Sequence, residues 1–479
     1  MLDLSVIPEA VEGLPPGERG MLAELKRVHS RHGTKNVEKD KYYEGNIGLS
    51  EVNLGIALPD GMRRLEIGCA WGAKTVDVLA SRSMFDGYVG SNGEAVEELE
   101  GIVSGNDLVS EYMKACRDEL KYGCTFATLS ADSSIGCRIR FHSPQTASAK
   151  WDGAKGRISC GLAVINTAVD NFDDTWRPSV VNLYTESAVW VLKREGSVWS
   201  AKEYRHKMGR PLMEPLIWNA TSSKPFGRSR IKEPIRRLIQ GYVRTIANAT
   251  IGLEFSTAPQ KYLMGVTDEQ YDKVVNQKFK QYIGSIIAST HNPESGEKPT
   301  FGQLSQGSLQ PHVEMLRMLA TQFSAATGLT VTDTGVVNDA NPTSSDAILV
   351  QSQTLVSMAE QLNTGNGNSL RTIGLMALAI KNNVALEDLD AEQSSIVAHF
   401  KNPAMPSVAV TADAAIKIAS ARPEFAQTDV FMEMIGFDQA DIRRVKAQEQ
   451  RARGLALITE MDNEEEADTE AENVQENVE

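Results

Sequence analysis

The 479-residue sequence predicts an α+β fold, mainly helical, and three observations carry that expectation. Apolar residues recur at helical spacing over long stretches, foremost Ile231, Ile235, Leu238, Ile239, Tyr242, Val243 and Ile246, the stripe of a helix buried along one side. Residues 125 to about 205 instead alternate with period two and are punctuated by turn formers. Helical patterning then returns and holds through most of the remaining chain.

Taken in order, helices are predicted at Glu18 to Arg31, Ala73 to Arg82 and Ala95 to Tyr122, the last carrying Leu99, Val103, Leu108, Met113 and Leu120. Strands are predicted in the runs CRIRFHSP, GRISCGLAVIN, VVNLYTESAVWVLK and SVWSAKEYRH. A long helix follows from about Arg230, with Pro234 near its first turn, where a missing N–H costs little. Between Ile251 and Gln310 the pattern gives a strand at Lys261 to Met264, a helix at Glu269 to Tyr282 and a polar loop at His291 to Thr300. A second long helix starts at Pro311, carries Val313, Leu316, Leu319, Phe323 and Ala326, and stops at Gly328. The loop Leu329 to Pro342 leads to a helix at Thr343 to Leu362. The Gly- and Asn-rich run Asn363 to Asn368 reads as a linker before another helix at Ser369 to Lys381. Asp438, with Asp441 three positions on, is placed to cap a C-terminal helix.

Composition narrows the function classes. Hydrophobic residues make up 41% and charged residues 23%, enough apolar content for roughly two to four domains. No apolar run approaches the ~20 residues needed to span a bilayer, and the N-terminus lacks the basic and apolar regions of a signal peptide. The five cysteines form no CxxC pair, which argues against a metal site or disulfide framework. Net charge is −14, and Asp462, Glu464, Glu465, Glu466, Asp468, Glu470, Glu472, Glu476 and Glu479 supply most of it. That C-terminal run is expected to be disordered. Duplex DNA is gripped through Lys and Arg that displace counterions, so an acidic chain of this kind is not built for tight DNA binding.

Two motifs imitate enzymes. Leu65 to Gly72 (LEIGCAWG) is similar to the first motif of methyltransferases that use S-adenosylmethionine, but Ala70 stands where the middle glycine belongs. The repeated β-α units of a doubly wound sheet do not follow. Gly68 to Thr75 (GCAWGAKT) imitates a phosphate loop, yet Ala73 separates the second glycine from Lys74. A strand-to-helix turn accounts for both. His29 and His32 lie three apart and read as a solvated helix face. The remaining histidines have no acid or nucleophile grouped with them. No catalytic or metal-ligating set is predicted, and no cofactor.

A set of dispersed residues resembles a known family. In order they are Tyr42-Tyr43-Glu44-Gly45, Arg63-Arg64, Val76 to Ala80 running into Arg82, Phe85, Gly87 and Tyr88, His206 to Pro211, Gly227 to Ile231, Ala258 to Lys261, Gly265, and Pro423 to Arg444. Each is weak alone, but their order over most of the chain resembles the SPP1-type portal proteins of tailed bacteriophages. The resemblance implies a non-enzymatic subunit of a ring, usually of twelve copies, at a capsid vertex. It divides the chain into a wing (1–228), a stem helix (229–250), a clip (251–310), a second stem helix (311–328), a tunnel loop with wing helices (329–404), a crown (405–460) and the acidic tail (461–479). Under it, Val336, Val337, Asn338, Asp339, Ala340 and Asn341 would face DNA in the channel. Arg230, Lys232, Arg236, Arg237 and Arg244 would be channel-facing stem cations, with pairing to acids or solvent the simpler reading of them. The clip residues Asn292, Glu294, Glu297 and Lys298 would face the terminase and head-completion proteins. Implied partners are further copies of the chain, double-stranded DNA read without sequence preference, the terminase large subunit, major capsid and scaffolding proteins, and head-to-tail adaptors, with no membrane. The expected location is the virion, after assembly in the host cytoplasm. Two alternatives stand beside this: a methyltransferase-like enzyme resting on Glu66 to Gly72, and another head-to-tail connector ring.

Overall fold

The computed structural model describes residues 2–48, 66–90, 96–169, 175–196, 198–257, 261–264, 300–303, 308–335, 345–404, 408–437, 441–442 and 444–455. The chain forms two compact units. The first gathers Met1–His32, Leu79–Arg228 and Val356–Glu479, and the second gathers Gly33–Val78 and Ser229–Leu355. The elements used below are α1 (Pro16–Glu44), α2 (Trp71–Ala80), α3 (Glu97–Gly105), α4 (Leu108–Tyr122), α5 (Glu233–Thr257), α6 (Gln310–Thr327), α7 (Ser345–Asn382), α8 (Ala391–Ser394), α9 (Val408–Ala421) and α10 (Asp429–Met434). The strands are β1 (Asn46–Gly48), β2 (Glu66–Gly68), β3 (Phe85–Val89), β4 (Cys124–Asp132), β5 (Gly136–His142), β6 (Ala147–Asp152), β7 (Arg157–Val169), β8 (Trp176–Tyr184), β9 (Ala188–Glu195), β10 (Val198–Arg205), β11 (Met213–Ile217), β12 (Lys261–Met264), β13 (Thr300–Gln303) and β14 (Val397–Phe400). Fold class is therefore mixed α+β with substantial helix.

In the first unit the period-two block becomes a five-stranded antiparallel meander in the order β10-β9-β8-β7-β6. One face of it turns Leu162, Val164, Val181, Leu183, Trp190, Leu192 and Trp199 inward against Leu4, Ile7, Val11, Leu14, Leu22 and Leu25 from the N-terminal segment and α1. Burying each such side chain contributes about 1.5–3 kcal/mol, so this face accounts for the alternation read in the sequence. A second sheet, β11-β4-β5, is also antiparallel, and α4 packs on β4. β11 lies beyond the predicted strand block. His29, expected on a solvated face, is buried, and its Nε2 lies 2.7 Å from the Gln145 carbonyl.

Two helix boundaries differ from expectation for identifiable reasons. The predicted helix Ala95 to Tyr122 breaks into α3 and α4 because the Asn106 side chain takes over backbone partners. Its amide donates to the Ile102 and Cys137 carbonyls at 2.8 and 2.9 Å and accepts from the Ile139 N–H at 2.9 Å. Asp107 then sits in the left-handed region at φ 48°. Conversely, the linker expected at Asn363 to Asn368 is continuous helix within α7. Local propensity disfavours helix there, but tertiary anchors override it. Asn363 accepts from Ser83, Asn366 is wholly buried and hydrogen-bonded, and Gly367 lies against the Phe400 ring.

In the second unit α5 and α6 pack side by side. Gly241 faces Leu319 while Gly252 faces Leu309, so the two helices run antiparallel. Ile235, Ile239, Val243 and Ala247 form the buried edge of α5, with Leu319, Ala320 and Phe323 from α6. Between these helices in the chain, β12 pairs with β13 in antiparallel register. The strand Lys261 to Met264 is as predicted; the helix Glu269 to Tyr282 and the Asp438 cap lie outside the described residues. Trp71 stands 4.6 Å from both the Tyr242 and Phe323 rings and joins α2 to the helix pair.

Among the described residues every ladder of the sheets is antiparallel, and β2 pairs with β1 alone. A doubly wound parallel sheet is absent from these residues, which removes the structural setting of the methyltransferase alternative. Gly72 shows what its motif is for. A Cβ placed there would stand 1.8 Å from the Tyr42 carbonyl oxygen, so this glycine admits the backbone of α1 rather than a nucleotide.

Candidate functional site

The chemistry of the second unit gathers at one end of its helix pair, where the head of α5 meets the C-terminal end of α6. At the head of α5 the sequence places five cations, and the fold separates their roles. Arg230 precedes the helix and is 7% exposed. Its guanidinium donates to the Thr75 carbonyl at 2.6 Å and the Thr327 carbonyl at 2.8 Å. Thr327 ends α6, whose last carbonyls lack helical partners, so a buried cation there meets both an unmet acceptor and the negative end of the helix. Burial lowers the pKa of Arg230 to about 10, which leaves it charged at neutral pH. Within the protomer it is a packing cation, not a surface one.

The other four divide further. Arg236 is half-buried, ion-paired with Glu38 and 5.7 Å above the Tyr42 ring, whose hydroxyl accepts from Gln240. It spends its charge on the C-terminal part of α1. Arg237 is exposed and bonds Glu233 one turn back, a pairing that lowers the pKa of Glu233. Lys232 is exposed and Arg244 is half-buried. Arg236 and Arg237 pair with acids, and Lys232, Arg237 and Arg244 lie on or near the protomer surface.

At the C-terminal end of α6, Gly328 takes the left-handed conformation at φ 74° and stops the helix as its position predicted. The chain beyond it is tied down. Ser324 donates to the Leu329 carbonyl at 2.6 Å, Leu329 is buried, and Asp333 accepts from both the amide and hydroxyl of Thr330. Trp71 Nε1 reaches the Thr334 carbonyl at 3.3 Å. The positions Val336, Val337, Asn338, Asp339, Ala340 and Asn341 lie outside the described residues, as do Asn292, Glu294, Glu297 and Lys298. What the structure brings together is the base of that loop. Sequence reasoning missed Trp71 and Arg230 as its anchors; the one available signal was a tryptophan inside a motif that fails as a ligand loop.

No group of three His, Cys, Asp or Glu side chains among the described residues is arranged to hold a metal ion. All five cysteines are free and buried. No helix of the described residues is long and apolar enough to cross a membrane.

One unit holds the paired long helices with a small β-ladder between them in the chain, and the other holds the β-meander. The chain belongs to the family described as phage portal protein, SPP1 Gp6-like, which matches residues 23–454. It is therefore a structural component of a phage or phage-like particle and not an enzyme. No curated protein gives a significant match. Among solved structures, it is similar to a chain of the virion of a native gene transfer agent particle (TM-score 0.45, 10% identity, covering 84% of this chain and 93% of that one). It is also similar to chains of the neck of the empty particle (0.42, 11%, 74% and 86%) and of the neck of the native particle (0.40, 9%, 77% and 89%).

Proposed function

We infer that this chain is the ring-forming portal subunit at one capsid vertex, through which DNA is packaged and later ejected. The observation that carries the reading is the family match over residues 23–454, and the antiparallel α5–α6 pair with a β12–β13 ladder between them in the chain supports a stem and a clip. On this reading residues 1–228 form the wing, 229–250 and 311–328 the stem, 251–310 the clip, 329–404 the tunnel loop and wing helices, and 405–460 the crown. A closed ring of about twelve copies arises when each protomer offers two different surfaces related by a rotation that closes. Lys232, Arg237 and Arg244, on or near the protomer surface, are the stem cations assigned to meet DNA phosphates or a neighbouring copy. Val336 to Asn341 supply close, uncharged contact with DNA apart from Asp339, and Asn292, Glu294, Glu297 and Lys298 meet the terminase and the head-completion proteins. The terminase supplies the energy of translocation, and the portal supplies a bore and a docking surface.

Mass measurement and class-averaged images of purified particles test the ring; a compact monomer under capsid-assembly conditions refutes it. Deleting Val337 to Asn341 tests the loop. DNA packaging or retention should fail while rings still form, whereas loss of assembly would make the segment structural.

A further inference from the structure

Deep in the first unit, α4 and α7 meet through a chain of buried polar groups. Glu119, Tyr112 and Asn366 are each fully buried. The Asn366 amide nitrogen donates to Glu119 Oε2 at 2.7 Å and to the Tyr112 hydroxyl at 3.0 Å, which uses both of its hydrogens. Ser83 lies 2.6 Å from the Tyr112 hydroxyl and donates to Asn363 Oδ1 at 2.6 Å. Since the Ser83 proton is committed to Asn363, Tyr112 must be the donor to Ser83, and every proton in that line is assigned. Two atoms are left over. They are Glu119 Oε1 and Asn366 Oδ1, the remaining oxygens of the two groups already joined.

Two acceptors without donors in a dry interior are costly, because each has given up water and gained no partner. One proton resolves both. We propose that Glu119 is a neutral carboxylic acid closing a cyclic acid–amide pair with Asn366, and that loss of this proton is a switch that loosens α7 from α4. The Oε1–H donates to Asn366 Oδ1 while the Asn366 N–H donates to Oε2. On ionisation the proton passes to hydroxide as water, and the carboxylate keeps one hydrogen bond in an apolar site. The groups that act on Glu119 are Tyr112 and Cys116 on its own helix and Asn366 on α7, with Ser83 and Asn363 further along the hydrogen-bonded line. Burial raises the pKa values of Tyr112 and Cys116, so none of these is charged at neutral pH and no cation among them favours a carboxylate. Burial likewise raises the pKa of Glu119 from 4.5 to about 8.

Infrared spectroscopy of the full-length protein tests this. At neutral pH the wild type should show a protonated-carboxyl carbonyl band that Glu119→Gln lacks, and the band should vanish as pH rises past about 8. Identical spectra for the two proteins at neutral pH would overturn the proposal. Asn366→Leu keeps the acid and removes its partner, so the band should persist at higher frequency; an unmoved band would exclude the cyclic pair even if the glutamine variant did not fold. The folded-state pKa lies above the unfolded one. The proton's contribution is thus complete below about 4.5 and is lost as pH rises to about 8. The thermal midpoint of the wild type should therefore fall across that window relative to Glu119→Gln.

Discussion

Arg230 and Arg237 stand seven positions apart on the same cationic stretch, and the fold gives them opposite meanings. Replacing Arg230 by Ala leaves the Thr327 carbonyl at the end of α6 buried without its charged donor and takes a second bond from the Thr75 carbonyl, and should cost about 2–4 kcal/mol by denaturant unfolding. Replacing Arg237 by Ala removes an exposed pair one turn apart on the helix and should cost under about 0.5 kcal/mol. Comparable losses for both variants would mean that Arg230 is not the packing cation described. A histidine makes a second residue-scale case. His142 lies 2.9 Å from Thr128 Oγ1, and burial lowers its pKa from 6.5 to about 4. Its folded pKa is depressed, so the unfolded chain binds the proton first. Stability present above about 6.5 is lost as pH falls toward 4, by up to about 3 kcal/mol. His142→Gln should flatten the acid limb of a stability–pH curve, and an unchanged limb would show that His142 is not its source.

Among the elements, α7 tests how far local chemistry decides structure. Its run Asn363 to Asn368 has the composition of a loop, and nothing local marks it as helix. The partners that hold it, Ser83, Tyr112, Glu119 and Phe400, lie far away in sequence, so the pattern was illegible without the fold. The Asn106 break in the predicted α3–α4 helix has the same origin, because its partners on β5 are distant. By contrast, the α5 stripe, the Pro311 start, the Gly328 stop and the period-two strands rest on neighbours within a few residues, and they read correctly. Glycines within α7 turn this into a measurement. Gly365 has open space where a Cβ would stand, so Gly365→Ala should stabilise by about 0.5–1 kcal/mol through helix propensity and a less flexible unfolded chain. Gly374 does not: a Cβ there would sit 2.9 Å from both Ile396 and Tyr88 carbons, and Gly374→Ala should destabilise by about 1–3 kcal/mol. Equal effects in thermal melts would mean α7 is not packed as described.

For the whole molecule, family membership was legible because many weak motifs fall in one order along the chain. The candidate site was legible only in part, since a cation's role depends on what surrounds it and charge alone does not reveal that. Net charge is a property the sequence does give outright, and it carries a prediction about DNA. A conduit works if DNA slides, and sliding needs few counterion-releasing contacts. The nine acids from Asp462 to Glu479 carry most of the −14 of each chain, and the proposed ring would multiply them by its copy number. On the proposed ring their field would repel duplex DNA, with a reach of about 8 Å at physiological ionic strength. Truncation after Met461 should leave ring assembly unchanged and raise non-specific affinity for duplex DNA at low salt, with the difference closing as salt is added. Filter binding of full-length and truncated rings across a salt series reads this directly. Equal affinity at low salt would mean that the acidic segment does not set the electrostatics of the particle, and that weak DNA binding has its cause in the stem.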